Sequence, residues 1–140
     1  MITETIIKVL RNDSTLQSLL GGTTANNTPV FTSFNFEDTV NKQINVELEY
    51  GETVPFEQEA KTHDGELRVY VLVKDTLSEP INTLNNITKR ILELVDLKGT
   101  TLDSPDTIYW IQKLDSDFTH YDTIKFYEAA LTFRFVITEA

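Results

Sequence analysis

The chain has 140 residues, of which 40% are hydrophobic and 24% charged, and its 12 basic and 22 acidic residues give a formal charge of −10. This length is typical of one domain with its own core, so we expect a single domain over residues 1–140. The acidic excess argues against a broad nucleic-acid-binding surface, because Lys and Arg dominate binding to phosphates. No apolar run approaches the roughly 20 residues of a membrane span, so we expect no membrane partner.

The sequence contains no cysteine, which excludes disulfides and thiolate chemistry. The first residues, MITETIIKVLRND, lack the basic start, long apolar middle and small-residue cleavage site of a secretory signal. We therefore expect a protein of the cytosol.

The first predicted element is a helix in ITETIIKVLRNDSTLQSLLGG, residues 2–22. Apolar residues recur there at steps of three and four, which is typical of one helix face. Asp13 or Ser14 can cap a restarted turn, and Gly21 and Gly22 supply a residue that adopts the left-handed conformation past a helix end.

Three strands are predicted in the next part of the chain. A loop over residues 24–43 carries one short, weak strand near residues 29–34. INVELEY (44–50) and ELRVYVLVKD (66–75) both alternate apolar and polar residues, as strands with one wet face do. We expect these two to pair as an antiparallel hairpin, and residues 51–65 to form its long, mobile acidic tip.

A second helix is predicted in SEPINTLNNITKRILELVDLKG, residues 78–99, with Pro80 in its first turn and Gly99 as its stop. Its apolar stripe contains Ile81, Leu84, Ile87 or Thr88, Ile91 and Val95.

Two strands complete the chain. They are DTIYWIQKLD (106–115) and FYEAALTFRFVI (126–137), and residues 115–123 join them as a second mobile loop. In the last strand the odd positions 127–137 are apolar, so we expect that face to be buried. The even positions carry Phe126, Ala130, Arg134 and Val136, and the sequence does not decide whether they meet water, a helix or another copy of the chain.

The order of elements is therefore α-β-β-β-α-β-β. Strands adjacent in sequence favour antiparallel pairing, and two amphipathic helices suffice to cover one side of a sheet. We predict an α+β fold with a single, mainly antiparallel sheet of four to five strands and two helices packed on one face.

No motif in the sequence indicates catalysis. The only histidines, His63 and His120, lie in polar connections with few neighbouring ligands, whereas a metal site needs three or four. Each has a Thr and an Asp close by in sequence, but catalytic triads are built from residues that are distant in sequence. We predict no catalytic, metal-binding or cofactor-binding residue and no cofactor.

Several aromatic residues lie in irregular stretches or on polar strand faces. Such residues either anchor their segments to the core or form a contact surface. The candidate interface residues, together with the one basic residue among them, are Phe34, Phe36, Phe56, Tyr70, Phe118, Phe126 and Arg134.

Five features of the chain are informative when taken together: the helix ending in LQSLLGG, the Pro and short strand after it, the hairpin INVELEY to ELRVYVLVKD, the helix INTLNNITKRILELV and the closing IKFYEAALTFRFVI. In this order they resemble the tail terminator, or tail completion, proteins of long-tailed bacteriophages. The resemblance covers nearly the whole chain. It implies a virion subunit, assembled in the host cytoplasm, that forms a hexameric ring on the tail tube, ends tube polymerisation and offers a docking face to the head connector. The implied partners are further copies of the chain, the tail tube protein and the head connector or stopper protein.

The resemblance to tail terminator proteins implies a function for one acidic segment. Residues 37–66 hold nine acidic and two basic residues, which by itself indicates a solvated face. In a channel that passes DNA as cargo, acidic groups do not retain phosphates. The candidate acidic lumen or loop residues are Glu52, Glu57, Glu59, Asp64, Asp115 and Asp117.

Two alternatives remain open at this point. A head completion or connector-joining protein of a phage neck shares the ring geometry and the lack of chemistry. A cytosolic binding module would instead recognise a basic peptide or protein through the acidic segment.

Overall fold

The computed structural model describes residues 2–32, 36–53 and 62–139. Within them the chain forms three α-helices and five β-strands. In chain order these are α1 (Ile2–Arg11), α2 (Ser14–Leu20), β1 (Val30–Thr32), β2 (Lys42–Thr53), β3 (Thr62–Lys74), α3 (Pro80–Val95), β4 (Thr107–Tyr121) and β5 (Phe126–Thr138). The predicted α+β class is confirmed.

The strands form one sheet in the order β1-β2-β3-β5-β4. The short edge strand β1 runs parallel to β2, with Val30 opposite Ile44. All the other neighbours pair antiparallel, and the predicted hairpin of β2 and β3 places Ile44 opposite Val71. The single, mainly antiparallel sheet is therefore as predicted, with five strands.

The first predicted helix is in fact two helices, so three helices cover the sheet where two were expected. Asp13 has an extended backbone, φ −81° and ψ 119°, and its carboxylate accepts a hydrogen bond from the Leu16 N–H at 3.0 Å. This cap ends α1 and starts α2 in a new direction. Gly21 then adopts the left-handed conformation, φ 80°, as expected past a helix end.

All three helices pack on one face of the sheet. That face presents the predicted apolar positions of β3 and β5, since Leu67, Val69, Val71, Val73, Leu131, Phe133, Phe135 and Ile137 are buried. Tyr127 and Ala129 are half-buried at the edge of this core. The helices contribute Ile2, Ile6, Leu10, Leu16, Leu20, Leu84, Ile87, Ile91 and Val95.

Helix α3 differs from the prediction at both ends. Ile81 is 47% exposed, not buried. At 100° per residue it lies about 75° from the centre of the stripe that Leu84, Ile87, Ile91 and Val95 define. The helix ends at Val95, before Gly99. A Cβ on Gly99 would lie 2.8 Å from Ile108 Cγ2, so this glycine permits close packing against β4 and does not stop the helix.

The two predicted mobile loops are largely strand where the structure describes them. Residues 115–121 belong to β4, which pairs with β5 up to Tyr121 opposite Phe126, and only residues 122–125 form a turn. Residues 51–53 and 62–65 pair with each other in β2 and β3. Residues 54–61 lie outside the described residues. Backbone pairing extends these strands although their side chains show no apolar alternation.

Candidate interaction surface

The even positions of β5 lie on the sheet face opposite the helices. The paired register places Ala130 beside Tyr70 and Arg134 beside Glu66 on this face. Among the described residues no helix covers it, so we name it the open face. Of the three possibilities for the second face of the last strand, a covering helix is thereby excluded within the described residues.

An ion pair lies on the open face. Arg134 donates two hydrogen bonds to the Asp64 carboxylate, at 3.1 and 2.8 Å. Its guanidinium carbon also lies 5.9 Å from the Trp110 ring centroid. The hydrogen bonds from Arg134 lower the pKa of Asp64. Asp64, a candidate loop residue, is therefore held on a strand by an arginine.

The other candidate acidic residues are spread over different places. Asp115 and Asp117 lie exposed on β4, where they face the open side opposite Thr132 and Ala130. Glu52 has its backbone in β2. Glu57 and Glu59 lie outside the described residues.

The candidate aromatic residues also separate. Phe126 is buried, because Phe36 packs edge-on against it at 5.6 Å between ring centroids. Phe36 itself is 39% exposed, and Tyr70 is half-buried on the open face. Phe118 is 56% exposed on the other side of β4, where it stacks on Tyr127. Phe34 and Phe56 lie outside the described residues.

The outer part of the edge strand β4 and the turn that follows it carry exposed apolar side chains. Residues 114–125 are exposed throughout. The large apolar side chains among them are Leu114, Phe118, Tyr121 and Ile124. Several exposed apolar side chains along one stretch of an edge strand and its turn are typical of a protein contact, since single exposed apolar residues are normally scattered. We refer to residues 114–125 as the hairpin end.

A hollow of about 280 Å³ lies on the open face beside the hairpin end. Five lining residues carry polar groups: Asn45, Glu47, Tyr70, Tyr121 and Glu128. The other three are apolar: Phe36, Leu72 and Ile124.

The segment that carries Phe36 is fixed over this hollow by Gln43. The buried Gln43 side chain accepts a hydrogen bond from the Glu37 N–H at 3.1 Å and donates one to the Glu37 carbonyl at 2.6 Å. The Phe36 ring thereby forms a wall of the hollow, in addition to covering Phe126.

The hydroxyl groups in the hollow are turned towards carboxylates. Tyr121 donates to Glu128 at 3.1 Å, and Tyr70 donates to Glu49 at 3.4 Å. Burial raises the pKa of Glu128, and the hydrogen bond from Tyr121 opposes this effect. Burial also raises the pKa of Tyr70 and of Tyr121. The hollow is thus apolar on its walls and rich in hydrogen-bond acceptors.

Most of this hollow is not evident from the amino-acid sequence. Asn45 and Glu128 are 83 positions apart in the sequence, and they come together only through the register of the three strands β2, β3 and β5. Alternation in β2 places Asn45 on the wet face, but that pattern alone does not show that its side chain is buried.

Both histidines lie among acidic groups. His63 Nε2 lies 3.4 Å from Glu139 Oε1. His120 lies between two carboxylates, with Nε2 2.8 Å from Asp75 and Nδ1 3.2 Å from Asp122, and its ring stacks on Tyr127. In the part of the chain that is described, no three His, Asp or Glu side chains converge as metal ligands. None of the described helices is long and apolar enough to cross a membrane.

These features define an α+β domain with one helix-covered sheet face, one open face and a hairpin end that exposes several apolar side chains. No protein-family model and no curated protein matches the chain. Its fold is similar to that of a chain in a solved structure described as the virion of a native gene transfer agent particle. The TM-score is 0.71 at 14% sequence identity, and the match covers 98% of this chain and 94% of that one. At this identity the similarity shows a shared fold.

Proposed function

We propose that the protein is a structural component of a phage-like virion, without enzymatic activity. The observation that carries this proposal is the fold shared over 98% of the chain with a chain of a gene transfer agent virion. Similarity over nearly all of both chains favours a corresponding place in such a particle, although fold by itself does not determine function.

Within the virion, we propose the role of tail terminator. Such a subunit forms a ring, in which each copy offers two different surfaces to its neighbours. The open face and the opposite side of the hairpin end, which carries Phe118, are two different surfaces, and exposed apolar groups such as Phe118 supply area to bury. The ring caps the tail tube, ends its polymerisation and docks on the head connector.

The acidic side chains of β4 fit a surface beside passing DNA. Asp115 and Asp117 are exposed on the strand that carries the hairpin end. Carboxylates repel phosphates, so a lumen lined by them does not hold the DNA in transit. The partners are accordingly further copies of the chain, the tail tube protein and the head connector protein, with DNA only as cargo.

The experiment removes the gene from a phage or particle-producing strain that encodes this chain and images the particles by electron microscopy. Overlong tails without heads support the tail terminator role. Tails of normal length that fail to join filled heads indicate a head completion protein and contradict it. Normal, infectious particles contradict a virion role altogether.

Complementation then tests the hairpin end. Phe118→Ala removes an exposed ring, so the subunit should remain folded but fail to restore capped tails. Ile81→Ala, an equally accessible apolar truncation on α3, is the matched control and should restore them. Equal restoration by both variants would show that the hairpin end is not the contact surface.

A further inference from the structure

The hollow on the open face contains a buried hydrogen-bond acceptor without a partner. Asn45 is only 3% exposed, and its Nδ2 donates to Gln43 Oε1 at 3.2 Å. Because Gln43 Oε1 can only accept, this contact fixes the orientation of the Asn45 amide. Its Oδ1 has no hydrogen-bond partner among the described residues. Buried acceptors are normally satisfied, so an unpaired one on a residue that lines the hollow indicates a place for a donor.

The surrounding groups need donors as well. Glu47 and Glu128 bring carboxylates to the hollow. The hydroxyl hydrogens of Tyr70 and Tyr121 are already directed to Glu49 and Glu128. The complementary ligand therefore carries N–H donors and a positive charge.

The walls restrict the shape of that ligand. Phe36, Leu72 and Ile124 give the hollow apolar sides, and its volume of about 280 Å³ is small beside typical small-molecule pockets of roughly 300 to 1,000 Å³. A lysine side chain combines an apolar four-carbon stem with an ammonium group that has three donors. The aromatic rings of Phe36, Tyr70 and Tyr121 add attraction for a cation near their faces.

We propose that the hollow binds the ammonium end of a lysine side chain carried by a partner protein. The hollow is continuous with the hairpin end, since Tyr121 and Ile124 belong to both, and this continuity favours a protein-borne ligand over a free amine. The inference adds the chemistry of the partner to the proposed function. Only the identity of the virion protein that carries the lysine rests on the proposed function.

The test is a titration of the ¹⁵N-labelled protein, followed by amide chemical shifts. The probe is a lysine blocked as its N-acetyl and N-methylamide derivative, and the matched control is norleucine blocked in the same way, which lacks only the ammonium group. Blocked lysine should shift the Asn45 side-chain amide saturably, and blocked norleucine should bind about tenfold more weakly or not at all, because charge-assisted hydrogen bonds are lost.

Variants then assign the site. Glu128→Gln keeps the shape of the side chain and removes its charge, so it should weaken blocked-lysine binding about tenfold. Burial already disfavours the charged form of Glu128, so the variant should fold. Asp103→Asn, at a side chain 90% exposed and outside the hollow, should leave binding unchanged.

Three results would overturn the inference. They are the absence of saturable shifts, equal binding of blocked norleucine, and binding of butylammonium without binding of blocked lysine, which would indicate a free-amine site. None of these results affects the imaging of gene-deleted particles. The proposed function is therefore tested independently of the lysine site.

Discussion

Asp13 and Arg90 are joined by two hydrogen bonds, of 2.7 and 3.0 Å, which tie the start of α2 to the middle of α3. The same carboxylate accepts the Leu16 N–H, so one side chain caps a helix and anchors it to its neighbour. The Asp13 side chain is only 10% exposed, and Arg90 also pairs with Glu93 at 3.0 Å. This contact sets how the helix layer covers the sheet.

We expect Asp13→Ala to destabilise the protein by at least the about 0.5 to 2 kcal/mol typical of a lost N-cap. Asp13→Asn should cost less, because Asn is an equally good cap and loses only the charge pairing with Arg90. Urea unfolding of both variants at neutral pH measures the two contributions. Equal stability of the Ala variant and the parent would show that Asp13 does not cap α2 in solution.

The contribution of the Asp13 charge should depend on pH. The hydrogen bonds from Arg90 hold the pKa of Asp13 below its ordinary value of 3.8. The pairing is therefore fully present above the ordinary value and is lost as the pH falls through the lower, folded-state pKa. We expect the stability difference between the parent and Asp13→Asn to be constant from about pH 7 to about pH 5 and to shrink towards about pH 2. A difference that stays constant over the whole range would contradict the ion pair.

Phe133→Ala should remove a fully buried ring from the helix-covered face. Truncations of this kind cost about 3 to 5 kcal/mol, a large share of the roughly 5 to 15 kcal/mol of a typical domain. We expect almost no soluble, cooperatively unfolding protein. Phe118→Ala, at a ring 56% exposed, is the matched control and should melt close to the parent. Similar melting temperatures of the two variants would mean that the buried face of β5 has been assigned wrongly.

The fold was predictable wherever one face of a strand is buried. Leu67, Val69, Val71 and Val73 recur at every second position because the helices cover the face to which they point, and β2 and β5 follow the same rule. The outer half of β4 is exposed on both faces, so its side chains show no alternation and only pairing with β5 makes it a strand.

The candidate surface was predictable only in part. Tyr70 and Arg134 could be placed on a wet strand face from their strands' own periodicity. The hollow could not be predicted, because the proximity of Asn45, Tyr121 and Glu128 depends on strand register. Register between distant segments is not contained in any local sequence pattern. The burial of Phe126 depends likewise on Phe36, which a distant segment lays over it.

A variant of Arg134 can test the proposed contact role of the open face separately from stability. Its pair with Asp64 is bidentate, but the two side chains are 48% and 35% exposed, and exposed pairs contribute only about 0.2 to 1 kcal/mol. We expect Arg134→Gln to change the free energy of unfolding by less than about 1 kcal/mol and yet to reduce complementation of gene-deleted particles, because a partner docked on the open face meets an altered charge pattern. Lys8→Gln removes an exposed pair of the helix layer, 3.5 Å from Asp103, and is the control that should complement fully. Full complementation by both variants would exclude Arg134 from the contact, whereas a large loss of stability in Arg134→Gln would assign the pair a structural role.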